Sequence, residues 1–363
     1  MAVVDLKLPH HAYQIVIEPR LLGRLGEQAR KVAPHDKAAM LADARVMDTH
    51  GAVARRSLAD AGYAVTAAPL PPGEEHKTLD TVRGLYETIV AARLERRSPI
   101  IALGGGVVGD TAGFVAATYL RGVPFIQCPT TLLAMVDASV GGKVGVNLPQ
   151  GKNLVGAFYQ PLLVVIDTDT LGTLPPRELR CGLAECVKHG VIRDADLFAW
   201  IEDKLDAILN LDPDALVELV RRNVAIKAAV VMEDEKETGV RAHLNFGHTF
   251  GHAIESTQAY GGYHHGEAVA LGMVAATGLA VDAGRCDADL LERLVRLLDR
   301  IGLATSARNL APPAQLLDAM RVDKKVADGR IRLVLPDRLG AVSIDRDCPD
   351  DRIVAAWRAL VSP

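Results

Sequence analysis

SPIIALGGGVVGDTAGFVAATYL, residues 98–120, decides the fold class. It reads as a strand, a glycine turn and a helix. The apolar run up to Leu103 lacks period-2 alternation, as expected of a strand buried on both faces of a parallel sheet. Gly104, Gly106 and Gly109 fit G-x-G-x-x-G, whose glycines let the backbone close on a pyrophosphate at a helix N-terminus. An ordinary dinucleotide fingerprint also has an acidic residue ending a strand roughly 20 residues on. None is clear here, and Asp110 follows the last glycine directly. Asp43, ending the earlier AAMLAD run, is the other candidate for a ribose. A bound nucleotide is expected, in a pose that departs from the standard one.

Outward from this segment, YQIVI (13–17), AAML (38–41), PFIQC (124–128) and LLVVID (162–167) read as further strands. TLDTVRGLYETIVAARLER (78–96) between them has a helical period. Alternating strands and helices give an α/β Rossmann-like domain with an open, mostly parallel sheet. Leu174-Pro175-Pro176 ends that pattern. Beyond it, DALVELVRRNVAIKAAVVMEDE (214–235) and DADLLERLVRLLDRIGL (287–303) are long amphipathic stretches. The expected division is a nucleotide-binding α/β domain over 1–174 and a mainly α-helical domain over 175–363. RIRLVLP (330–336), after the Asp328-Gly329 turn, reads as a short strand.

The chain has 363 residues, long enough for two cores, with 41 basic and 45 acidic residues and a net charge of -4. That balance offers no electrostatic footprint for nucleic acid. No apolar run approaches a membrane span, and the first twenty residues lack the uninterrupted apolar core of a signal peptide. Cys128, Cys181, Cys186, Cys286 and Cys348 are scattered without a C-x-x-C pair, so reduced thiols and a cytoplasmic location are expected. The expected partner is a small molecule.

DASVGGKVGVNLPQGKNLVGAFYQP (137–161) carries Asp137, Lys143, Asn147, Lys152 and Asn153. Its glycine content argues against a strand or helix interior and for a ligand loop. Two lysines nine residues apart suit an anion. Five of the 11 histidines fall between 243 and 265, in LNFGHTFGHAIE (244–255) and YHHGEAVALGM (263–273) and just before them. His248 and His252 are i and i+4, a spacing that puts two imidazoles on one helical face for a metal. A helical hairpin would instead join His248 with His264 or His265. Thr249 and Phe250 rule out H-E-x-x-H. Glu185, in the apolar helical segment RCGLAECVKHG, is the best third ligand, because an unpaired carboxylate there is costly. Lys188, Lys227, Arg241, Lys324 and Lys325 would form an anion pocket beside the metal.

Taken together, GEEHKTL, GGGVVGD, DASVGGKVGVN, GKNLVGAFYQP, GLAECVKHG, NFGHTFGHAIE and HGEAVALGM resemble, in order, the 3-dehydroquinate synthase family of the sugar phosphate cyclases. The resemblance implies NAD, held by Asp43, Glu74, Lys77, Gly105, Gly106, Val107, Gly109, Asp110, Thr130, Thr131, Lys143, Lys152, Thr170, Leu171, Gly172 and Thr173. It implies one divalent metal, zinc or cobalt, on Glu185, His248 and His265. Asp137, Lys143, Asn153, Lys188, Lys227, Arg241, Asn245, His252 and one of Lys324 or Lys325 would meet a phosphorylated sugar acid. It further implies a homodimer in which Arg121, of YLRGVP, reaches the phosphate end of the neighbouring subunit's site. The implied reaction converts 3-deoxy-D-arabino-heptulosonate 7-phosphate to 3-dehydroquinate. Ala138, Val144 and His76 depart from the family's usual residues and touch only fine substrate preference. A cyclase for an amino-substituted sugar phosphate and a metal-dependent alcohol dehydrogenase of the glycerol dehydrogenase type are the alternatives.

Overall fold

The computed structural model describes residues 1–258, 262–322 and 331–361. The chain forms two compact units, Met1–Pro175 with Leu211–Lys236, and Pro176–Asn210 with Glu237–Pro363.

In the first unit the strands are β1 (Ala2–Leu8), β2 (His11–Ile17), β3 (Lys37–Asp43), β4 (Ala64–Leu70), β5 (Ile100–Gly104), β6 (Phe125–Pro129), β7 (Lys143–Leu148), β8 (Gly151–Phe158) and β9 (Leu163–Ile166). Seven of them make one sheet in the order β1-β2-β9-β6-β5-β3-β4. Only the β1–β2 hairpin is antiparallel; every other pair runs parallel. Successive residues of β3 and β5 enter opposite cores. Ala39, Leu41, Ile100 and Ala102 pack with Val82, Leu85 and Val115, on the helices Leu79–Ala91 and Gly106–Thr118. Ala38, Met40, Ile101 and Leu103 pack with Leu25, Ala29 and Leu58, on the helices Leu25–Val32 and Ala52–Asp60. Burial on both faces is why these strands are continuously apolar. β1 and β4 are the sheet's edges, and their sequences are correspondingly mixed, with Asp5 and Lys7 in one and Pro69 in the other.

The glycine-rich stretch corrects the sequence reading. It is a β7–β8 hairpin, not an irregular loop. Gly145 lies opposite Gly156, and a Cβ there would stand 2.6 Å from the Val155 carbonyl oxygen, or 2.3 Å from that of Val144 in the case of Gly156. These glycines permit close approach of two strands instead of interrupting them.

The division of the chain also differs from a single cut at 174/175. The helix Pro213–Glu233 packs in the first unit, against β1 and the turn Ala134–Ala138. Helical period reports that a helix has an apolar face, and says nothing of which body covers it.

The second unit contains helices Pro176–Arg193, Ala195–Leu209, His248–Thr257, His265–Asp282, Ala288–Ile301, Pro313–Val322 and Asp350–Leu360. It also holds a hairpin of β10 (Leu333–Arg338) and β11 (Ala341–Asp345); β10 covers the end of the expected 330–336 strand. His265–Asp282 is buried around most of its circumference. Its neighbours approach it through glycine. A Cβ on Gly272 would lie 2.0 Å from the Gly247 carbonyl oxygen, and one on Gly266 2.3 Å from that of Cys181. Two backbone contacts thus bind three helices, those bearing Glu185, His248 and His265. No helix among the described residues is long and apolar enough to cross a membrane.

Candidate functional site

Those three helices set a cluster in the second unit. Glu185 is fully buried. Its Oε1 lies 3.4 Å from His248 Nε2 and 3.6 Å from His265 Nε2. The three donor atoms all fall within 4.8 Å of one another. Two imidazole nitrogens and one carboxylate oxygen are the donor set of a catalytic divalent-metal site, so the residues fit such an ion. His248 Nδ1 is 3.1 Å from the Phe246 carbonyl oxygen, which can only accept, so Nδ1 carries a proton and Nε2 is the atom that could hold an ion.

Charge keeps the cluster anionic at its centre. Burial alone would raise the Glu185 pKa, but Lys188, one turn along the same helix and paired with it, then His248 and His265, hold it well below the usual carboxylate range. Burial likewise pulls His265 down, yet the carboxylates of Glu185 and Glu255 on either side of the ring push it up to about 10. An arriving cation must displace the proton on Nε2.

His252 lies beside the set, its ring centroid 5.6 Å from that of His248 against 5.3 Å between His248 and His265, but it is not in the group whose donor atoms all fall within 4.8 Å of one another. His264 turns to Glu178, with Nδ1 2.9 Å from its carboxylate. The structure therefore joins His248 with His265, across two helices. Arg241 is buried in the same unit, and Asn245 donates to Glu237 at 3.0 Å. Lys324 and Lys325 lie outside the described residues.

The nucleotide-type features occupy the first unit. Gly105 caps the helix Gly106–Thr118 with no side chain over its end, leaving the first-turn N–H groups of Gly106 and Val107 open to an anion. Gly109 is where the helix meets β6, a Cβ there reaching within 2.9 Å of Gln127 Oε1. Lys77, 3% exposed, places its ammonium 2.5 Å from both Asp110 Oδ2 and Asn153 Oδ1 and 3.9 Å from Glu74. Burial raises the Asp110 pKa to about 6, against the lowering influence of Lys77.

The sequence alone assigns no role to Asn147, yet it locks this corner. Its amide donates to Glu74 Oε1 at 2.8 Å, and its Oδ1 accepts from the Asn153 N–H at 2.8 Å. Asn153 itself sits at φ 53°. The readable signal was an amide following the apolar V-G-V run at the N-L-P-Q-G turn.

The remaining expected residues belong to the first unit. Asp43 caps the turn after β3, accepting from the Arg45 N–H at 2.7 Å. Thr130 is buried after β6, and Thr131 Oγ1 accepts from the Ala134 N–H at 3.2 Å. In the turn Thr168–Thr173, Thr170 and Thr173 donate to the Asp167 and Thr170 carbonyls, Leu171 is buried, and a Cβ on Gly172 would meet nothing within 4 Å. Lys143 and Lys152 are exposed on the two hairpin strands. Lys227 reaches Asp137 at 2.5 Å. Arg121 is exposed at φ 68°, beside Gly122 at φ 120°, and pairs with no carboxylate among the described residues.

Comparison with solved structures places this arrangement. The chain is similar to 2-epi-5-epi-valiolone synthase from Streptomyces hygroscopicus subsp. jinggangensis, solved with NAD+ and Zn2+ bound, at TM-score 0.90 and 29% identity over 98% of each chain. It is similar to 2-deoxy-scyllo-inosose synthase complexed with carbaglucose-6-phosphate, NAD+ and Co2+, at TM-score 0.91 and 28% identity, covering 99% of this chain and 100% of that one. At TM-scores of 0.90 and 0.91 over nearly the whole chain, the fold is that of the sugar phosphate cyclase class to which these two enzymes belong.

Within the class, the family models described as 3-dehydroquinate synthase N-terminal and C-terminal match residues 67–181 and 182–326. The 3-dehydroquinate synthase of Desulforamulus reducens is 47% identical over 355 residues, 98% of this chain and 99% of that protein. The chain belongs to the 3-dehydroquinate synthase family.

Proposed function

We propose that this chain converts 3-deoxy-D-arabino-heptulosonate 7-phosphate to 3-dehydroquinate and inorganic phosphate, as a cytoplasmic, NAD- and metal-dependent lyase of the shikimate route to aromatic amino acids. One observation carries the reading: Glu185, His248 and His265 converge in a chain of this family. Glu74, Lys77, Asp110 and the open helix end at Gly105 fit NAD, and the His2Glu set fits zinc or cobalt. When bound, NAD supplies a reversible hydride acceptor and the ion supplies Lewis acidity toward substrate hydroxyls.

The chain's own residues then bind, orient and neutralise. The substrate carries a carboxylate and a phosphate, and Lys143, Lys188, Lys227 and Arg241 supply cationic donors for them. Asp137 holds the Lys227 ammonium at 2.5 Å, which fixes a long side chain that would otherwise lose rotamer entropy on binding. Asn153 and Asn245 offer amides to hydroxyls. His252, an imidazole beside the ligand set but outside it, is the group that moves a proton at the substrate. Overall, one C–O bond to phosphate breaks, one ring C–C bond forms, and no net oxidation remains. In a homodimer, Arg121 of one subunit serves the phosphate end of the other's site; its exposed, stiff turn supports that role.

The test supplies the heptulosonate phosphate with NAD far below stoichiometry and follows phosphate release and absorbance of NADH. Full phosphate release without net NADH, lost on chelation and restored by zinc or cobalt, is expected. NADH accumulating one for one with substrate would instead mean an alcohol dehydrogenase of the glycerol dehydrogenase type. Turnover only of an amino-substituted sugar phosphate would mean the related cyclase.

A further inference from the structure

We infer that Glu255 is a positioning residue that aims His265 at the metal. The inference rests on the metal reading above and extends it by one residue. Glu255 lies on the helix His248–Thr257, two turns after His248, with its side chain only 15% exposed. Its Oε2 is 3.2 Å from His265 Nδ1. On the far side of the same ring, His265 Nε2 faces Glu185 Oε1 at 3.6 Å.

The chemistry follows from what each atom can do. An ionised carboxylate only accepts hydrogen bonds. The Nδ1 that faces it therefore carries the proton, and the lone pair of the neutral ring falls on Nε2, the atom turned to Glu185. His248 is built on the same plan, its Nδ1 facing the acceptor-only carbonyl of Phe246 at 3.1 Å. Metal-bound histidines commonly donate their second N–H to a carboxylate or carbonyl, which fixes tautomer and ring orientation and strengthens the ligand. One of the two supports here is backbone, beyond the reach of substitution. The other is Glu255, a side chain. His265 needs it more, because its ring is 34% exposed against 10% for His248 and is less confined by packing. Glu255 also joins the two ligand-bearing helices, His248–Thr257 and His265–Asp282, by a polar contact where glycine supplies the apolar one.

The experiment measures zinc binding by the full chain, stripped of metal and titrated against a fluorescent chelator at neutral pH. Glu255→Ala is expected to weaken zinc by about 10- to 100-fold. Glu255→Gln keeps an oxygen acceptor for Nδ1 and is expected to recover most of that loss. The metal-free melting temperature should change little in either variant. The visible absorption of the Co2+-loaded protein should shift in band position or intensity in Glu255→Ala and return toward wild type in Glu255→Gln. Wild-type zinc affinity and an unchanged Co2+ spectrum in Glu255→Ala overturn the inference. So does an equal loss of affinity in both variants accompanied by an equal drop in metal-free melting temperature, which marks a structural role. A wild-type chain that binds no zinc, or a His248→Ala chain that binds it as tightly as wild type, overturns the metal reading itself and the inference with it.

Discussion

Replacing Gly272 with alanine tests whether helix contact sets the metal geometry. The new Cβ would lie 2.0 Å from the Gly247 carbonyl oxygen and 2.9 Å from the Gly251 nitrogen. Both are backbone atoms, so no side chain can rotate away. Ordinary contact begins at 3.4 Å, and the two helices must separate there by about 1.4 Å. His248 follows Gly247 directly, and His265 stands two turns before Gly272 on the opposing helix. Metal sites tolerate errors of only about 0.2 Å in ligand distance. A substitution that touches no ligand should thus weaken zinc by at least about tenfold, the scale seen when ligand orientation is disturbed. Overpacking costs about 1–3 kcal/mol, and a rigid backbone clash belongs at the upper end. For a body of this size, about 3 kcal/mol lowers the melting temperature by about 6–12 °C. Calorimetry of the metal-free chain and zinc competition measure the two effects. Gly84→Ala is the control: a Cβ on this exposed glycine in the helix Leu79–Ala91 would meet nothing within 4 Å, so alanine there should stabilise by about 1 kcal/mol at most. If Gly272→Ala melts within about 1 °C of wild type and binds zinc equally well, glycine contact does not fix the ligand spacing, and the reasoning fails.

Two further outcomes are expected. The Asp110 pKa is raised to about 6, so the folded chain keeps a proton that the unfolded chain has already released at its ordinary, lower pKa. That contribution is fully present below the ordinary carboxylate range and is lost as pH rises through about 6. In urea unfolding without NAD, the stability of wild type relative to Asp110→Asn should fall between about pH 4 and 6, at up to about 1.4 kcal/mol per unit, then level off; a flat or rising difference contradicts the assignment. For the shared site, Arg121→Ala and Lys143→Ala should each be nearly inactive alone. Mixed dimers should restore about a quarter of wild-type activity, since one site then carries both lesions and the other none. No recovery, with subunit exchange verified, means that Arg121 acts within its own subunit.

The central strands were legible because burial on both faces leaves short β-rich, mostly apolar runs between turn signals. YQIVI, AAML, SPIIAL, PFIQC and LLVVID are such runs, and β2, β3, β5, β6 and β9 each cover most of one of them. The edge strands β1 and β4 escaped notice for the converse reason. One side of an edge is solvated and its ladder half open, so Asp5, Lys7 and Pro69 are tolerated and the apolar pattern dissolves. The β7–β8 hairpin was hidden differently. Glycine is a poor strand residue on its own, and only the pairing of Gly145 with Gly156 turns it from a breaker into a requirement. Pairing partners are not written in local sequence. The helix Pro213–Glu233 shows the same limit one level up, since its apolar stripe was plain and the body it covers was not.

The metal donors mark where that limit bears on chemistry. Spacing favoured His248 with His252, because i and i+4 share a helical face. Sharing a face serves two donors but not three, which must converge on a point from more than one helix, and here the group that converges is Glu185, His248 and His265. Convergence needs a second helix crossing the first at close range. Gly247 and Gly272 allow that crossing, Gly266 brings the same helix against Cys181, four residues before Glu185, and the three donors then meet within 4.8 Å. In the sequence those glycines look like flexible punctuation inside NFGHTFGHAIE and HGEAVALGM. In the fold they are the contacts that choose His265 over His252 and His264. The nitrogen that His265 offers is then chosen by the carboxylate of Glu255, a residue whose importance no spacing rule discloses, because its partner lies ten positions on and on another helix.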